Sequence, residues 1–248
     1  MGEQTMETQK KVSLTKKDLN KAYWTFETYA QACCSYERLQ APVFFSGMRN
    51  IIDKLYDDDP EQKAEACQRH MEFYNSEFAL VGPVILGASI AMEEEKANGA
   101  DIDGQAISAI KTSLMGPLAG IGDTLRQGTL IPIIGSIAIA LGQAGNLFAP
   151  IFYMLATLAL NWGISHTLFM KVYDKGTAFV AEFFQGNRME KIMTIITTMG
   201  SVTIGALAAN TVKLSTPLEL TLGEKVLNIQ ADILDSVILN LLPFCAVM

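Results

Sequence analysis

The chain has 248 residues, of which 50% are hydrophobic and 18% are charged, and its formal net charge is −7. A typical soluble domain carries about 25% charged residues, so this composition has more apolar surface than an ordinary core requires. The acidic balance excludes a nucleic-acid-binding protein, and the abundance of apolar residues excludes a disordered chain. The 4 cysteines lack the spacing of zinc or redox motifs and do not form a disulfide framework.

The first sixty residues predict helices in the cytoplasm or at the membrane interface. The segment 1–15 is polar and has no apolar core, so we expect no cleaved signal peptide. The pattern over 14–40 predicts one amphipathic helix. Thr15 is its expected N-cap, and Asp18 follows three residues later in the arrangement of a capping box. We therefore interpret 1–60 as one region of the chain.

A second amphipathic helix is predicted over 61–78, where apolar residues recur at spacings of three and four. Glu72 and Asn75 would then share one side of this helix, and a carboxylate beside an amide suits the vicinal hydroxyls of a sugar. His70 either joins this polar group or is a buried histidine that bonds a neighbouring helix. The His-x-Glu pattern lacks the Pro-Cys-x-x-Cys of a zinc deaminase, so we expect no metal site.

Two short apolar segments, 78–92 and 112–122, are interrupted by glycine and proline. Each is too short for a full membrane span, and proline removes a helical hydrogen bond. Such segments in a membrane protein indicate discontinuous or re-entrant helices along a transport path. We therefore interpret 61–126 as a broken-helix core region. The residues predicted to form its turns or re-entrant tips are Gly82, Pro83, Gly116, Pro117, Gly120 and Gly122.

The segment around Asp123 permits three interpretations. A phosphate-binding loop fits poorly, because Leu125 replaces the third glycine of the dinucleotide fingerprint and no strand precedes it. A tight turn between packed helices would let Asp123 cap a helix or pair with Arg126. A re-entrant tip would instead place Asp123 and Gln127 beside the transported solute, since an ionisable group in membrane-embedded sequence is a functional candidate.

Three consecutive carboxylates, Glu93, Glu94 and Glu95, precede Gly99, which is predicted to end their helix. Carboxylates in a last helical turn oppose the helix dipole by ~0.3–1 kcal/mol each. We expect a solvated face, because charged side chains rarely bury without a partner. The alternative is a contact surface for a basic partner or for the solute path.

The remainder, 127–248, is interpreted as the transmembrane region. It begins with 44 residues, 127–170, that contain no Lys, Arg, Asp or Glu, and a stretch of this length predicts membrane-spanning helices. Because 142–146 is a turn signal near its middle, we predict a hairpin of two spans. His166 lies in this run and is expected to bond another helix.

The basic residues predict the orientation of these spans. Most Lys and Arg lie in 1–126 and 171–191, so the positive-inside rule places both segments and the N-terminus in the cytoplasm. The chain would then cross outward at 192–212, and 236–248 would start a further span that looks truncated. Strand-like alternation is confined to 218–229, in the expected outer loop. The sequence as a whole predicts an all-α integral membrane protein.

Four motifs in this order resemble the enzyme IID subunit of the mannose/fructose/sorbose family of the bacterial phosphotransferase system. They are Ser-Tyr-Glu-Arg-Leu-Gln at 35–40, Arg-His-Met-Glu-Phe-Tyr-Asn at 69–75, Glu-Glu-Glu-Lys-Ala-Asn-Gly-Ala at 93–100 and Gly-Pro-Leu-Ala-Gly-Ile-Gly-Asp at 116–123. The resemblance implies a multi-pass permease subunit of the bacterial cytoplasmic membrane, surrounded by lipid. Such a subunit binds and translocates a hexose or related sugar with an enzyme IIC partner, as a trimer of such pairs and by an elevator-like movement.

The resemblance also implies cytoplasmic IIA and IIB phosphocarriers, of which IIB phosphorylates the sugar on entry. With 2 histidines in all, this chain is expected to carry no phosphoryl-transfer residue and no cofactor. The predicted sugar contacts are His70, Glu72, Asn75, Asp123 and Gln127. The alternative function is a scaffold for a sugar-binding IIC subunit that also docks other proteins, as such membrane pairs dock bacteriocins and phage. A soluble helical enzyme is disfavoured by the 44 uncharged residues.

Overall fold

The computed structural model describes residues 11–176, 191, 194–195, 197–205, 219–222 and 225–228. This part of the chain is mainly helical, and a short π-helical segment, Arg126–Leu130, lies between two of the helices. The helices with assigned bounds are α1 Lys16–Tyr29, α2 Ala41–Leu55, α3 Pro60–His70, α4 Gly82–Ala97, α5 Gly104–Leu125, α6 Ile131–Gln143 and α7 Ala149–Lys175.

The chain divides into two compact units. The first consists of 1–126 and 154–193, and the second consists of 127–153 and 194–248. In the first unit α4 is the central helix, because every residue from Gly82 to Glu93 is buried. A helix that is buried on all sides needs apolar residues all round rather than in one stripe, and this explains the uncharged run that precedes Glu93.

The start of α1 confirms the predicted capping box. The hydroxyl of Thr15 accepts a hydrogen bond from the backbone N–H of Asp18, and the Asp18 carboxylate accepts one from the N–H of Thr15 at 2.8 Å. The predicted length was wrong, because the helix ends at Tyr29 rather than at Gln40. Leu39 has a positive φ of 46°, a backbone conformation that a continuing α-helix cannot contain.

The predicted helix over 61–78 was also too long, because α3 ends at His70. Beyond it the chain turns into an extended segment, and the carbonyl of Tyr74 accepts a hydrogen bond from the N–H of Gln40 at 2.8 Å. The side chain of Tyr74 is 0% exposed. The apolar spacing that predicted a helix here therefore reflects a side chain that reaches the core from an irregular segment.

The first glycine–proline pair lies at the predicted interruption of 78–92, because residues 78–81 form a turn and the helix begins after it, whereas the second pair forms no interruption. Gly82 and Pro83 begin α4, where a proline costs little because the first N–H groups of a helix have no intrahelical partner. The second pair, Gly116 and Pro117, lies inside α5, which continues without interruption to Leu125. Gly120 and Gly122, which were predicted to form a turn, lie in the same continuous helix.

The turn predicted at 142–146 is confirmed, because α6 ends at Gln143 and α7 begins at Ala149. Gly145 has a φ of +79°, a left-handed conformation that glycine adopts without strain. The predicted end of α4 is confirmed in the same way, since Gly99 has a φ of +88° directly after the C-cap residue Asn98.

The strand-like alternation at 218–229 coincides with an antiparallel pair, β1 Glu219–Leu222 and β2 Lys225–Asn228. The described part of the chain is mainly helical, as predicted, and this strand pair falls on the one segment where the sequence showed strand-like alternation. The predicted span over 236–248 and most of the loop at 171–191 lie outside the described residues. Within the predicted span 192–212, residues 197–205 are helical.

Within the described part of the chain, one helical stretch, Gly104–Gln143, is long and apolar enough to cross a membrane. It has 40 residues, its most apolar window has a mean hydropathy of 1.4, and 11% of that window is buried inside the chain. The core helix of a soluble protein would be largely buried. An apolar stretch that its own chain leaves uncovered fits a lipid or a partner environment.

Candidate functional site

A buried ionic cluster joins α2, α3 and α4 around Glu93, which is 0% exposed. Its carboxylate accepts hydrogen bonds from Arg69 Nε at 2.6 Å and from the hydroxyl of Tyr56 at 2.6 Å, and it lies 2.7 Å from His70 Nε2. The predictions of a solvated face or a partner contact were therefore wrong for Glu93. The cationic last turn of α3 meets the last turn of α4 and supplies the partners that this carboxylate needs.

The protonation states in this cluster follow from its contacts. Burial acts to raise the pKa of Glu93, but hydrogen bonds from His70 and Arg69 outweigh it and lower the pKa to about 2. Burial lowers the pKa of His70, although Glu93 opposes the shift. His70 is then neutral near pH 7 and donates from Nε2 to Glu93. Its ring is 1% exposed and stacks on Phe44, so the buried-histidine interpretation is confirmed.

The two neighbouring carboxylates differ in their surroundings. Glu94 accepts a hydrogen bond from the N–H of Leu14 at 2.9 Å and another from the hydroxyl of Tyr173. Glu95 is exposed and borders an open cavity of about 780 Å³, which Asp174 also lines. Of the three carboxylates, Glu95 is therefore the one whose position fits the predicted contact with a basic partner.

Glu77 is a buried site residue that the sequence reasoning missed. It is 4% exposed, and its carboxylate accepts hydrogen bonds from the N–H groups of Leu80 at 2.8 Å and Val81 at 3.1 Å, where α4 begins. Arg126 Nε lies 3.8 Å from the same carboxylate, so Arg126 pairs with Glu77 rather than with Asp123. The available signal was a single acidic residue directly before the uncharged run 78–92, near the start of a helix, where the helix dipole favours a negative charge.

A second carboxylate of the first unit, Glu27 on α1, is influenced by Glu77. Burial raises the pKa of Glu27 to about 8 and the charge of Glu77 contributes, whereas a hydrogen bond from Trp162 and the charge of Arg126 oppose the shift. Glu27 is therefore mainly protonated at neutral pH. Glu77 is the carboxylate that pairs with Arg126.

Two of the predicted sugar contacts lie along the first half of α5. The segment after α3 brings Glu72 within 2.8 Å of the hydroxyl of Ser108, which donates to it, and the N–H of Asn75 donates to Met115 Sδ at 2.9 Å. Both predicted residues are exposed. Asp123 is also exposed and lies eight residues beyond Met115 on α5, which is about 12 Å at the helical rise of 1.5 Å per residue.

The other two predicted contacts lie elsewhere. His70 was expected to share a helix face with Glu72 and Asn75, but it ends α3 and is enclosed in the ionic cluster around Glu93. Gln127 is exposed and belongs to the second unit. The structure therefore brings Glu72 and Asn75 to one edge of α5 and separates His70 from them by burial.

One face of α5 consists of exposed small and polar residues. A Cβ atom added at Gly116 or Gly120 would meet nothing within 4 Å. Because this helix belongs to the stretch that can cross a membrane, its polar groups need protein or water beside them rather than lipid. The exposed residues of this polar face are Gln105, Ala109, Thr112, Ser113, Gly116, Gly120 and Asp123.

Comparison with known proteins gives a consistent family match. The model of the PTS system mannose/fructose/sorbose family IID component matches residues 13–248. The sorbose-specific EIID component of Lacticaseibacillus casei is 33% identical over 219 residues, which are 88% of this chain and 76% of that protein. A solved mannose transporter ManYZ, in complex with a microcin, has a TM-score of 0.63 and 30% identity, and the match covers 95% of this chain and 86% of that one. Another solved chain, described as a membrane protein, has a TM-score of 0.82 and 29% identity over 94% of this chain and 86% of that one.

Proposed function

Because the chain belongs to the IID component family of the mannose/fructose/sorbose phosphotransferase system, we propose that it binds and translocates a hexose or related sugar together with an enzyme IIC partner. The family match confirms the resemblance to enzyme IID that the four sequence motifs indicated. The chain is a membrane component of that system. In this proposal IIA and IIB carry the phosphate, and IIB phosphorylates the sugar on entry. This chain contributes binding and passage rather than phosphoryl transfer.

The polar face of α5 is the observation that carries the proposal. Lipid cannot satisfy hydrogen-bonding groups, so this face borders either a partner subunit or an aqueous path. Glu72 and Asn75 at its first half supply a carboxylate and an amide, which can bond the paired hydroxyls of a sugar. Asp123 lies about 12 Å further along the helix. We therefore expect Asn75 and Asp123 to contact the sugar at successive positions on its path.

The distribution of charged and apolar residues supports a proposal for the arrangement of the chain in the membrane. The basic residues before α5 favour a cytoplasmic N-terminus. The stretch Gly104–Gln143, which includes α5, and the uncharged residues that follow it favour several spans. Movement of the sugar is elevator-like in this proposal, with trimers of paired subunits. Re-entrant helices are not needed for the polar face, because α5 exposes it as a continuous helix.

Truncation of the polar side chains tests the sugar path. Asn75→Ala and Asp123→Ala, expressed with the IIC partner, are each expected to lower the rate of labelled-sugar uptake about tenfold. The physical reason is that a lost hydrogen bond to a sugar hydroxyl costs on the order of 1–3 kcal/mol. Glu65→Ala, at an exposed position of α3, is the matched control and should transport normally. Wild-type uptake by both variants, in complexes that assemble normally, would contradict the assigned path.

A scaffold role is the second candidate, and the solved ManYZ transporter favours it because that transporter binds a microcin. In this alternative the IIC subunit makes the sugar contacts, and exposed surfaces of this chain dock other proteins. The same variants discriminate between the two functions. Unchanged sugar binding by the assembled pair carrying Asn75→Ala and Asp123→Ala would support the scaffold role.

A further inference from the structure

We propose that α1 and the C-terminal half of α7 form a binding surface for the headgroups of anionic lipids. The surface consists of Lys17, Lys21, Trp24 and Trp162, and we call it the Trp–Lys patch. The proposal rests on the membrane location of the chain and is independent of sugar transport. All four residues are exposed, and Trp24 and Trp162 are 43% and 39% exposed.

The patch begins with the outer face of α1. Lys17, Lys21 and Trp24 follow each other at spacings of four and three, so they lie on one side of the helix. The opposite side faces the core and is formed by Leu19, Ala22, Tyr23 and Phe26. Tryptophan is enriched at membrane–water interfaces and basic residues attract anionic headgroups, so this outward face of α1 fits a membrane interface.

The second half of the patch comes from α7, which packs against α1 in the antiparallel direction. The rings of Trp24 and Trp162 meet edge to face with centroids 5.2 Å apart. Near the other end of this contact, His166 Nε2 lies 2.7 Å from Asn20 Oδ1. The packing of α1 against α7 therefore places the two tryptophans of the chain side by side, although they are far apart in the sequence.

The cations of both helices lie toward the same end of this contact. Lys17 precedes Asn20 by three residues and Lys171 follows His166 by five, which places their Cα atoms about 5 and 8 Å beyond the His166–Asn20 contact. The carboxylate of Asp18 is already paired with Lys54 at 2.5 Å. Asp174 and Glu95 are exposed acids that line one cavity near this end, and the exposed cations Lys17, Lys21 and Lys171 outnumber them.

Beyond the tryptophans the exposed surface of α7 becomes aliphatic. Leu155 is 51% exposed and Met154 is 52% exposed, and Leu155 lies seven residues from Trp162, about 10 Å along the helix. The order along the surface is therefore cations, then indole rings, then aliphatic side chains. This order matches the sequence of layers from phosphate headgroups through the interface to the hydrocarbon, and cations near it favour anionic lipids.

Intrinsic fluorescence tests the patch directly, because the chain has 2 tryptophans and both belong to it. The full-length chain is reconstituted into phosphatidylcholine vesicles with and without phosphatidylglycerol. We expect stronger quenching by lipids brominated near the headgroup than by lipids brominated near the bilayer centre. Energy transfer from the tryptophans to dansyl-phosphatidylglycerol should exceed transfer to dansyl-phosphatidylcholine.

Charge variants then test the lysines. Lys17→Gln/Lys21→Gln is expected to weaken the preference for phosphatidylglycerol at least threefold, while Arg49→Gln/Lys63→Gln, which removes two cations from α2 and α3, should leave it unchanged. Two outcomes would overturn the proposal: quenching by aqueous iodide but not by brominated lipid, or an unchanged lipid preference in the Lys17→Gln/Lys21→Gln variant. Extraction with carbonate and sugar uptake are measured in parallel, so loss of insertion or of transport is distinguished from loss of headgroup binding.

Discussion

Replacing Glu93 with glutamine is expected to lower the free energy of unfolding of the chain by about 3–5 kcal/mol, the usual cost of removing one partner of a buried ion pair. Glu93 is 0% exposed and balances the charge of Arg69, which is 7% exposed. A neutral amide leaves the guanidinium buried without a counter-charge. It also turns one oxygen acceptor into a donor that faces the donors Arg69 and Tyr56. Thermal unfolding of the purified chain in detergent measures the effect.

Glu95→Gln is the matched control, because Glu95 belongs to the same helix and is exposed. It should unfold within about 0.5 kcal/mol of the wild type, as surface substitutions usually do. Joint replacement of the pair, Arg69→Met with Glu93→Leu, should recover most of the lost stability, since no buried charge is left without a partner. Equal unfolding temperatures for Glu93→Gln and Glu95→Gln would show that the cluster does not stabilise the fold.

The pH dependence of unfolding provides a second readout of the same substitution. The pKa of Glu93 is lowered from 4.5 to about 2, because its hydrogen bonds outweigh the effect of burial. A lowered carboxyl pKa contributes stability above pH 4.5, and this contribution is lost as the pH falls toward 2. The wild type should therefore lose stability across this acidic range, and Glu93→Gln should lose less.

The sequence predicted those parts of the fold that depend on neighbouring residues. The capping box at Thr15, the turn at 142–146 and the left-handed Gly99 each follow from local backbone chemistry. The predicted helix lengths were wrong where a distant segment forms hydrogen bonds with the same backbone groups. The N–H of Gln40 bonds the carbonyl of Tyr74, and a periodicity within 61–78 holds no sign of that pairing.

The candidate site also contains residues that the sequence predicted and residues whose roles depend on long-range packing. The sequence predicted Glu72 and Asn75 as neighbouring polar groups, and the structure leaves both exposed beside α5. The roles of Glu93 and Glu77 depend on which cations the fold brings near them. A run of three glutamates looks solvated until the last turn of α3 places Arg69 and His70 against the first of them. Whether a charged residue is buried depends on long-range packing, and a single sequence does not show which distant residues pack against it.

Two glycines of α5, two residues apart, are expected to respond in opposite ways to the same substitution. A Cβ at Gly122 would lie 2.6 Å from Val81 Cγ2 and 2.8 Å from Glu77 Cβ. Real Cβ atoms do not approach this closely, so Gly122→Ala must push α5 away from the start of α4. Overpacking of this kind costs about 1–3 kcal/mol. Thermal unfolding of the purified variant measures the loss.

Gly120→Ala is the matched control, because a Cβ there would meet nothing within 4 Å. Alanine is favoured over glycine inside a helix by roughly 0.5–1 kcal/mol, so this variant should be as stable as the wild type or slightly more stable. Its position on the polar face of α5 makes a larger side chain informative about function. Gly120→Leu should unfold like Gly120→Ala yet slow sugar uptake, because its bulk occupies the space that we assign to the partner or the sugar.

The two glycines therefore separate the requirements of folding from those of transport. If Gly122→Ala matched the wild type in stability, the close approach of α5 to Val81 and Glu77 would not limit packing. If Gly120→Leu took up sugar at the wild-type rate, the polar face of α5 would not line the path. Because the substituted positions are two residues apart on one helix, a general sensitivity of that helix to mutation would affect both and could not produce the expected contrast.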